Sequence, residues 1–175
     1  MRSFEYALDK DGNKQFKDAK LPVYNTKYSA GADFYCAEEV TIPSIWSYAT
    51  KFISKLVKGE SCADESVIKP VLVHTGIKAN MEDDEVLEIY IRSSMPKKAG
   101  LLLANSVGII DKDYYGNESN DGEIMFAYYN LRPFDVTLHV GDKIGQGIFK
   151  KVLKPQKGLV TEDEIRRGGF GSTDK

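Results

Sequence analysis

Short segments with alternating side-chain character are the feature of this sequence that most restricts its fold. Five such segments are rich in β-branched and aromatic residues, and each is bounded by residues typical of turns. They are VLV at 71–73, VLEIYI at 86–91, IMFAYY at 124–129, VTL at 136–138 and IGQGIF at 144–149. Because successive side chains of a strand point to opposite faces, this period of two predicts an all-β sandwich or barrel.

One segment has a helical period instead. Apolar residues recur every three or four positions from Ile45 to Leu56, with Ser44 before them and Gly59 after them. This spacing predicts an amphipathic helix over about 44–58, with about 1.5 Å of rise per residue. We interpret it as an insert in the β fold, docked on a sheet.

The chain end has a different composition from the rest. Residues 166–175 include three glycines, several charges and almost no candidate core residues, which predicts a mobile C-terminal arm. The full length of 175 residues suits a single hydrophobic core. We therefore predict one β domain at 1–165 and the arm at 166–175.

Charge and hydropathy exclude several classes of protein. The sequence has 24 Lys and Arg residues against 26 Asp and Glu residues, so it lacks the basic excess of a nucleic-acid-binding surface. The N-terminal residues lack the apolar core of a signal peptide, and the best apolar run, at 100–110, is interrupted by polar residues. We expect a soluble, cytoplasmic protein that binds neither nucleic acid nor membrane, located in the host cytoplasm if the source is a virus.

The cysteines and histidines do not form a recognisable motif. Cys36 and Cys62 lie far apart, and adding His74 and His139 does not produce the paired spacing of a structural zinc site. We expect reduced thiols and no zinc.

Five short motifs in a fixed order carry the chemistry. They are AGAD at 30–33, RSS at 92–94, NSVGIIDKDY at 105–114, GDKIGQ at 141–146 and GGFGST at 168–173. Together they resemble the five ordered motifs of the trimeric dUTPase family, of which the third and fifth are the most distinctive. The resemblance implies a jelly-roll-like, distorted-barrel subunit and a homotrimer whose active sites are shared between subunits. It also implies hydrolysis of dUTP to dUMP and pyrophosphate with Mg²⁺.

The third motif contains the candidate catalyst. Attack of water on a phosphate requires a carboxylate that takes the proton, and the resemblance gives this general-base role to Asp111. The alternative is that Asp111 and Asp113 are ordinary turn residues, which form local hydrogen bonds.

The same region is predicted to select the nucleoside. The resemblance places Asn105, Ile109, Ile110 and Met125 around uracil, whose amide-like edge can pair with backbone groups. It places Tyr114 beneath the deoxyribose, where the ring leaves no space for a 2′-hydroxyl.

A triphosphate needs local donors and positive charge in a chain of net charge −2. The resemblance assigns phosphate binding to Arg92, Ser93, Ser94 and Gln146. Ser94 stands where glycine is usual in the family. Asp33 is predicted to hold Mg²⁺ through its water shell. Each of these residues alone would also suit an ordinary loop or strand end.

The arm completes the predicted site. Its glycine-rich backbone and hydroxyls would bind phosphates, and its aromatic ring would stack on uracil. Either Arg166 or Arg167 replaces the arginine that usual family members carry earlier in the arm, and the sequence does not decide between them. The remaining candidate residues of the arm are Phe170, Gly171, Ser172 and Thr173.

From the sequence alone, two other functions remain possible. The dCTP deaminases share the fold and are also trimeric, but they act on the base instead of the phosphate. A regulatory protein that senses dUTP and binds a protein partner through the inserted helix is the second alternative. Two insertions, the long region at 42–67 and residues 117–121, distinguish this chain from a minimal dUTPase.

Overall fold

The computed structural model describes residues 1–61 and 68–154, which form antiparallel β-structure and one α-helix. The strands, numbered along the chain, are β1 (Ser3–Tyr6), β2 (Ala32–Tyr35), β3 (Val40–Ile42), β4 (Val71–His74), β5 (Ile77–Asn80), β6 (Glu85–Ile91), β7 (Leu101–Leu103), β8 (Val107–Ile110), β9 (Met125–Asn130), β10 (Val136–Leu138) and β11 (Lys143–Lys151). The predicted all-β, jelly-roll-like fold is confirmed. All five predicted strands are present, as β4, β6, β9, β10 and β11.

The strands pair into four small sheets. The largest has the order β2-β11-β6-β8, and a three-stranded sheet has the order β4-β9-β7. Two further pairs are β1-β5 and β10-β3. All of these pairings are antiparallel, and β11 lies inside the largest sheet with β2 on one side and β6 on the other.

Aromatic side chains fill the space between the sheets. Phe34 of β2 and Phe126 of β9 are both fully buried, and their ring centroids lie 5.6 Å apart. Tyr128 is also fully buried and donates its hydroxyl hydrogen bond to the Ile144 carbonyl at 2.6 Å. The buried polar atom is therefore satisfied, as a core of this kind requires.

Two glycines of β11 allow the core to pack this closely. A Cβ at Gly145 would lie 1.9 Å from Cε1 of Phe126, and one at Gly147 would lie 2.7 Å from Cε2 of Phe34. Real Cβ atoms do not approach other heavy atoms so closely, so any larger residue would displace an aromatic ring. Glycine inside a strand here marks a close approach between elements.

The helix α1 spans Ile45–Lys58, as the periodicity predicts. Its first turn is capped by the Ser44 side chain, which accepts the backbone N–H of Trp46 at 3.1 Å, and Gly59 ends it in the left-handed conformation. The expectation that the apolar face docks on a sheet is wrong for much of that face. No residue of α1 is buried. The exposed apolar side chains are Trp46, Ile53, Leu56 and Val57.

In the part of the chain that the structure describes, no helix is long and apolar enough to span a membrane. Cys36 is buried and free, and burial raises the pKa of its thiol to about 11. Cys62 and the predicted arm lie outside the described residues.

Candidate active site

A polar cleft lies beside three neighbouring strands of the largest sheet. Asp33 lies on β2, Gln146 is its pairing partner on β11, and Arg92 follows the last residue of β6. Because β11 pairs with both β2 and β6, the sheet itself brings these residues together. The cleft has a volume of about 260 Å³. Its lining residues are Asn25, Ser29, Ala30, Gly31, Asp33, Arg92, Ser93 and Gln146.

The Asp33 carboxylate organises the charges of this cleft. Its side chain is only 5% exposed, and it lies 3.1 Å from Arg92 Nε and 2.9 Å from Lys143 Nζ. Burial alone would raise the pKa of Asp33, but hydrogen bonds from Lys143 and Asn25 and the charge of Arg92 outweigh burial and lower it. Asp33 is therefore ionised at neutral pH and holds two cations at the edge of an open cleft. Such an arrangement suits a phosphate ligand.

The acceptor sites of Asp33 also indicate how a metal ion would fit. A carboxylate has about four lone-pair sites, and Arg92, Lys143 and Asn25 occupy three of them. Among the contacts of the described residues, one site remains on Oδ1, which a metal-bound water could occupy without displacing either cation. Among the described residues, no group of three or more His, Cys, Asp or Glu side chains could hold a metal ion. The free site on Asp33 would fit one outer contact to the hydration shell of a Mg²⁺ ion.

Strand β8 lies at one edge of the same sheet. Within the described residues, β8 pairs only with β6, so its other edge is open. Gly108 must remain small there, because a Cβ would lie 2.4 Å from Cγ1 of Ile89. Ile109 is 51% exposed, and Asn105 is exposed just before the strand. A planar base with an amide-like edge could pair with this strand edge.

A single turn of 3₁₀ helix, Lys112–Tyr114, follows β8. Asp111 is exposed at its start, and the Asp111 carbonyl accepts the backbone N–H of Tyr114 at 3.1 Å. Tyr114 itself is only 5% exposed, and its hydroxyl donates to the Glu123 carbonyl at 3.0 Å. One short turn therefore positions the backbone of Asp111 relative to the buried Tyr114 ring.

A partly buried pair, His74 and Glu123, lies next to Met125 in the chain and in the sheet. Met125 opens β9 and pairs with His74 of β4. The Glu123 carboxylate, 3% exposed, accepts hydrogen bonds from His74 Nδ1 and from the Gly76 backbone N–H, each at 2.9 Å. The hydrogen bond to Glu123 raises the pKa of His74 more than partial burial lowers it.

This ion pair predicts a pH-dependent stability. The pKa of His74 is raised above 6.5 in the folded chain, so its stabilisation is fully present below about pH 6.5 and is lost as pH rises through the folded pKa. We expect His74→Gln to have a lower Tm than the wild type at about pH 6, with the difference shrinking towards about pH 9. Thermal unfolding of both chains across this range is the measurement. A difference in Tm that stays constant with pH would contradict the prediction.

Comparison with known proteins identifies the family. A family model described as dUTPase matches residues 61–174. The deoxyuridine 5′-triphosphate nucleotidohydrolase of Lactococcus lactis is 38% identical over 161 residues, covering 91% of this chain and 92% of that protein. The chain belongs to the dUTPase family. It is accordingly an enzyme of nucleotide metabolism and a hydrolase.

Other dUTPases agree in sequence and in structure. The Rickettsia typhi protein is 35% identical over 156 residues, covering 87% of each chain. The crystal structure of the Streptococcus mutans dUTPase matches with a TM-score of 0.68 at 34% identity, covering 89% of this chain and 99% of that one. The Staphylococcus bacteriophage 80alpha dUTPase shares the fold at 15% identity, with a TM-score of 0.63 and coverage of 94% and 98%.

In this dUTPase chain the predicted site residues fall into two groups. Asp33, Arg92, Ser93 and Gln146 line the cleft, and Ser94 follows Ser93 at the start of the turn Met95–Ala99. The second group lies on or next to β8, in the turn after it and at the start of β9, and it consists of Asn105, Ile109, Ile110, Asp111, Tyr114 and Met125. Among the described residues, none of this second group lines the cleft. The arm residues Arg166, Arg167, Phe170, Gly171, Ser172 and Thr173 lie outside the described part of the chain.

Sequence reasoning missed two residues that line the dUTPase cleft and one that contacts Asp33 beside it. Lys143 stands inside the fourth motif, but only its contact with Asp33 indicates a role. Asn25 and Ser29 belong to no motif. An isolated β-bridge between Val23 and Asp33 brings the segment that contains Asn25 and Ser29 back to the cleft. No local sequence pattern predicts that bridge.

Proposed function

We propose that this chain hydrolyses dUTP to dUMP and pyrophosphate in a magnesium-assisted reaction. The observation that carries the proposal is the cleft in which Asp33 holds Arg92 and Lys143 as a fixed pair of cations. The nucleotidohydrolase activity stated for the Lactococcus lactis relative supports it. A preformed pair of cations is what the binding of a triphosphate requires.

The cleft residues bind and orient the phosphates. The Arg92 guanidinium donates in a fixed direction because Asp33 holds its Nε, and Ser93 and Gln146 add neutral donors beside it. A bound magnesium ion would supply further neutralisation of phosphate charge. Asp33 would contribute one outer hydrogen bond to the hydration shell of that ion.

Asp111 acts as the general base. Its carboxylate takes a proton from water while the water oxygen forms a bond to phosphorus, and the anhydride bond between the α- and β-phosphates breaks. The pyrophosphate leaves with the electron pair of that bond. Uracil is bound at the open edge of β8 by Asn105, Ile109, Ile110 and Met125, and Tyr114 lies beneath the sugar.

The two groups of site residues meet between subunits. Because the second group of residues does not line the cleft of its own chain in the described structure, we propose a homotrimer in which one subunit supplies the cleft and another supplies Asp111. Light scattering during size-exclusion chromatography measures the molar mass, and we expect that of a trimer. The arm and the cytoplasmic location remain predictions from the sequence.

The decisive experiment is pyrophosphate release from a panel of dUTP, dCTP, dTTP and UTP, with chromatography of the nucleotide products. We expect dUMP from dUTP and little turnover of the other three. Conversion of dCTP to dUTP without pyrophosphate release would instead support the deaminase alternative and overturn the proposal.

Tyr114→Ala tests the recognition of the sugar. The ring that occupies the space beside C2′ is removed, so we expect the preference for dUTP over UTP to fall by roughly 10- to 100-fold. Rejection of dTTP should persist, because the methyl group of thymine contacts other residues. Turnover of dTTP therefore serves as the internal control. The ratio of kcat/KM values for dUTP and UTP is the measurement, and an unchanged ratio would remove Tyr114 from the site.

A second function is favoured by the surface of α1. This helix has no buried residue and exposes Trp46, Ile53, Leu56 and Val57, an apolar patch of the kind found at protein interaction sites. The fold neighbour from phage 80alpha is described as controlling the transfer of virulence genes. We propose that a regulatory protein partner binds this helix. Pull-down assays with and without dUTP, using wild-type protein and the Trp46→Ser variant, test the proposal, and equal capture by both chains would contradict it.

A further inference from the structure

The Tyr114 hydroxyl is held by a residue of the inserted loop at 117–121. The hydroxyl donates to the Glu123 carbonyl at 3.0 Å and accepts a hydrogen bond from Asn120 Nδ2 at 2.9 Å. The same Asn120 nitrogen also lies 3.2 Å from the Glu123 carbonyl. Because Tyr114 is almost fully buried, these groups have little access to water as a substitute partner.

The loop holds the backbone of Tyr114 as well. Asn117 Nδ2 donates to the Tyr114 carbonyl at 2.9 Å, and Asn117 is itself only 8% exposed. Gly122 passes so close that a Cβ there would lie 2.5 Å from the same carbonyl oxygen. Contacts from one loop therefore restrain both the side chain and the backbone of Tyr114.

The loop is in turn anchored to distant parts of the chain. Asp121 accepts hydrogen bonds from the Leu8 backbone N–H at 2.8 Å and from Lys78 Nζ at 2.7 Å. Gln15 Nε2 donates to the Asn120 carbonyl at 3.1 Å. Since the Lys78 side chain is only 9% exposed, this anchor is largely shielded from solvent. Tyr114 is thus connected through the loop to the N-terminal segment and to β5.

We propose that Asn120 is a positioning residue that sets the discrimination between deoxyribose and ribose by fixing the Tyr114 ring. The inference rests on the proposed role of Tyr114 at the sugar. A 2′-hydroxyl differs from hydrogen by one atom, so the ring must be held within about 0.5 Å for the clash to be effective. A buried hydroxyl with two partners meets that requirement, whereas a ring held by packing alone would tilt to admit the extra oxygen.

The test is the ratio of kcat/KM for dUTP to kcat/KM for UTP in Asn120→Ala. We expect the ratio to fall by roughly 10- to 100-fold, mainly through faster turnover of UTP. The matched control is Glu118→Ala, an exposed residue of the same loop, which should keep the wild-type ratio. Loss of structure alone would lower turnover of both substrates equally and leave the ratio unchanged, which would overturn the inference.

A double-mutant cycle separates this inference from the proposed function. If Asn120 acts through the hydroxyl, Asn120→Ala should change the ratio in wild-type protein but not in a Tyr114→Phe background. An equal effect in both backgrounds would overturn the positioning role while leaving dUTP hydrolysis intact. An unchanged ratio in Tyr114→Ala would instead contradict the proposed role of Tyr114, and absence of dUTP hydrolysis in the wild type would contradict the proposed function itself.

Discussion

Replacing Asp111 with asparagine is expected to leave nucleotide binding almost unchanged and to lower kcat by about 10²–10⁴. The amide has nearly the same shape as the carboxylate but cannot accept the proton of the attacking water. Because the lost interaction forms only in the transition state, kcat and kcat/KM should fall by similar factors. Titration calorimetry with a non-hydrolysable dUTP analogue and steady-state kinetics measure the two quantities separately.

Asp113→Asn is the matched control for this prediction. Asp113 lies two residues after Asp111 in the same 3₁₀ turn and is also exposed. Asp113→Asn therefore removes one negative charge from the turn, as Asp111→Asn does. Turnover should remain near that of the wild type. A comparable loss in both variants would indicate a general effect of charge at the turn, and near-normal turnover of Asp111→Asn would exclude Asp111 as the base.

Mixing two inactive chains is expected to restore activity. Arg92→Ala removes a cation of the cleft, and Asp111→Asn removes the general base, so trimers of either chain alone should be almost inactive. If each site combines the cleft of one subunit with Asp111 of another, half of the subunits have an intact cleft and the other half retain Asp111 after random 1:1 mixing. About a quarter of the sites should then be complete. The measurement is dUTP hydrolysis after co-refolding.

The wild-type chain mixed with a chain carrying both substitutions provides the control. A shared site predicts about a quarter of the wild-type activity here as well, whereas a site within one subunit predicts about a half. Activity of the first mixture no higher than that of its parents, in trimers shown to be mixed, would mean that cleft and base come from the same subunit.

The parts of the fold that sequence reasoning predicted are those whose signals are local. Helix α1 carries its own cap residue, Ser44, and its own termination signal, Gly59, next to a clear period. By contrast, β5 contains Lys78, which is buried because Asp121, far along the chain, neutralises it. A charged residue in so short a segment gives no indication of burial until its partner is known.

The same distinction between local signals and long-range contacts applies to the candidate site. Asp33, Arg92 and Gln146 were predicted because each stands in a recognisable motif. The role of Lys143 depends on the pairing of β11 with β2, which brings its ammonium group to Asp33. The position of Asn25 depends on the return of its loop over the same carboxylate. Such long-range pairings are set by the sheet, so local residue patterns do not contain them.

The glycines on either side of Gln146 limit how the cleft can be redesigned. The side chain at 146 can vary without touching the core, but any larger residue at 145 or 147 would push against Phe126 or Phe34. A mutational library aimed at new phosphate ligands should therefore randomise position 146 and keep its two neighbours fixed. Where a relative does carry alanine at position 145, the ring at position 126 should be replaced by a smaller side chain, so that position 145 of β11 and position 126 of β9 covary.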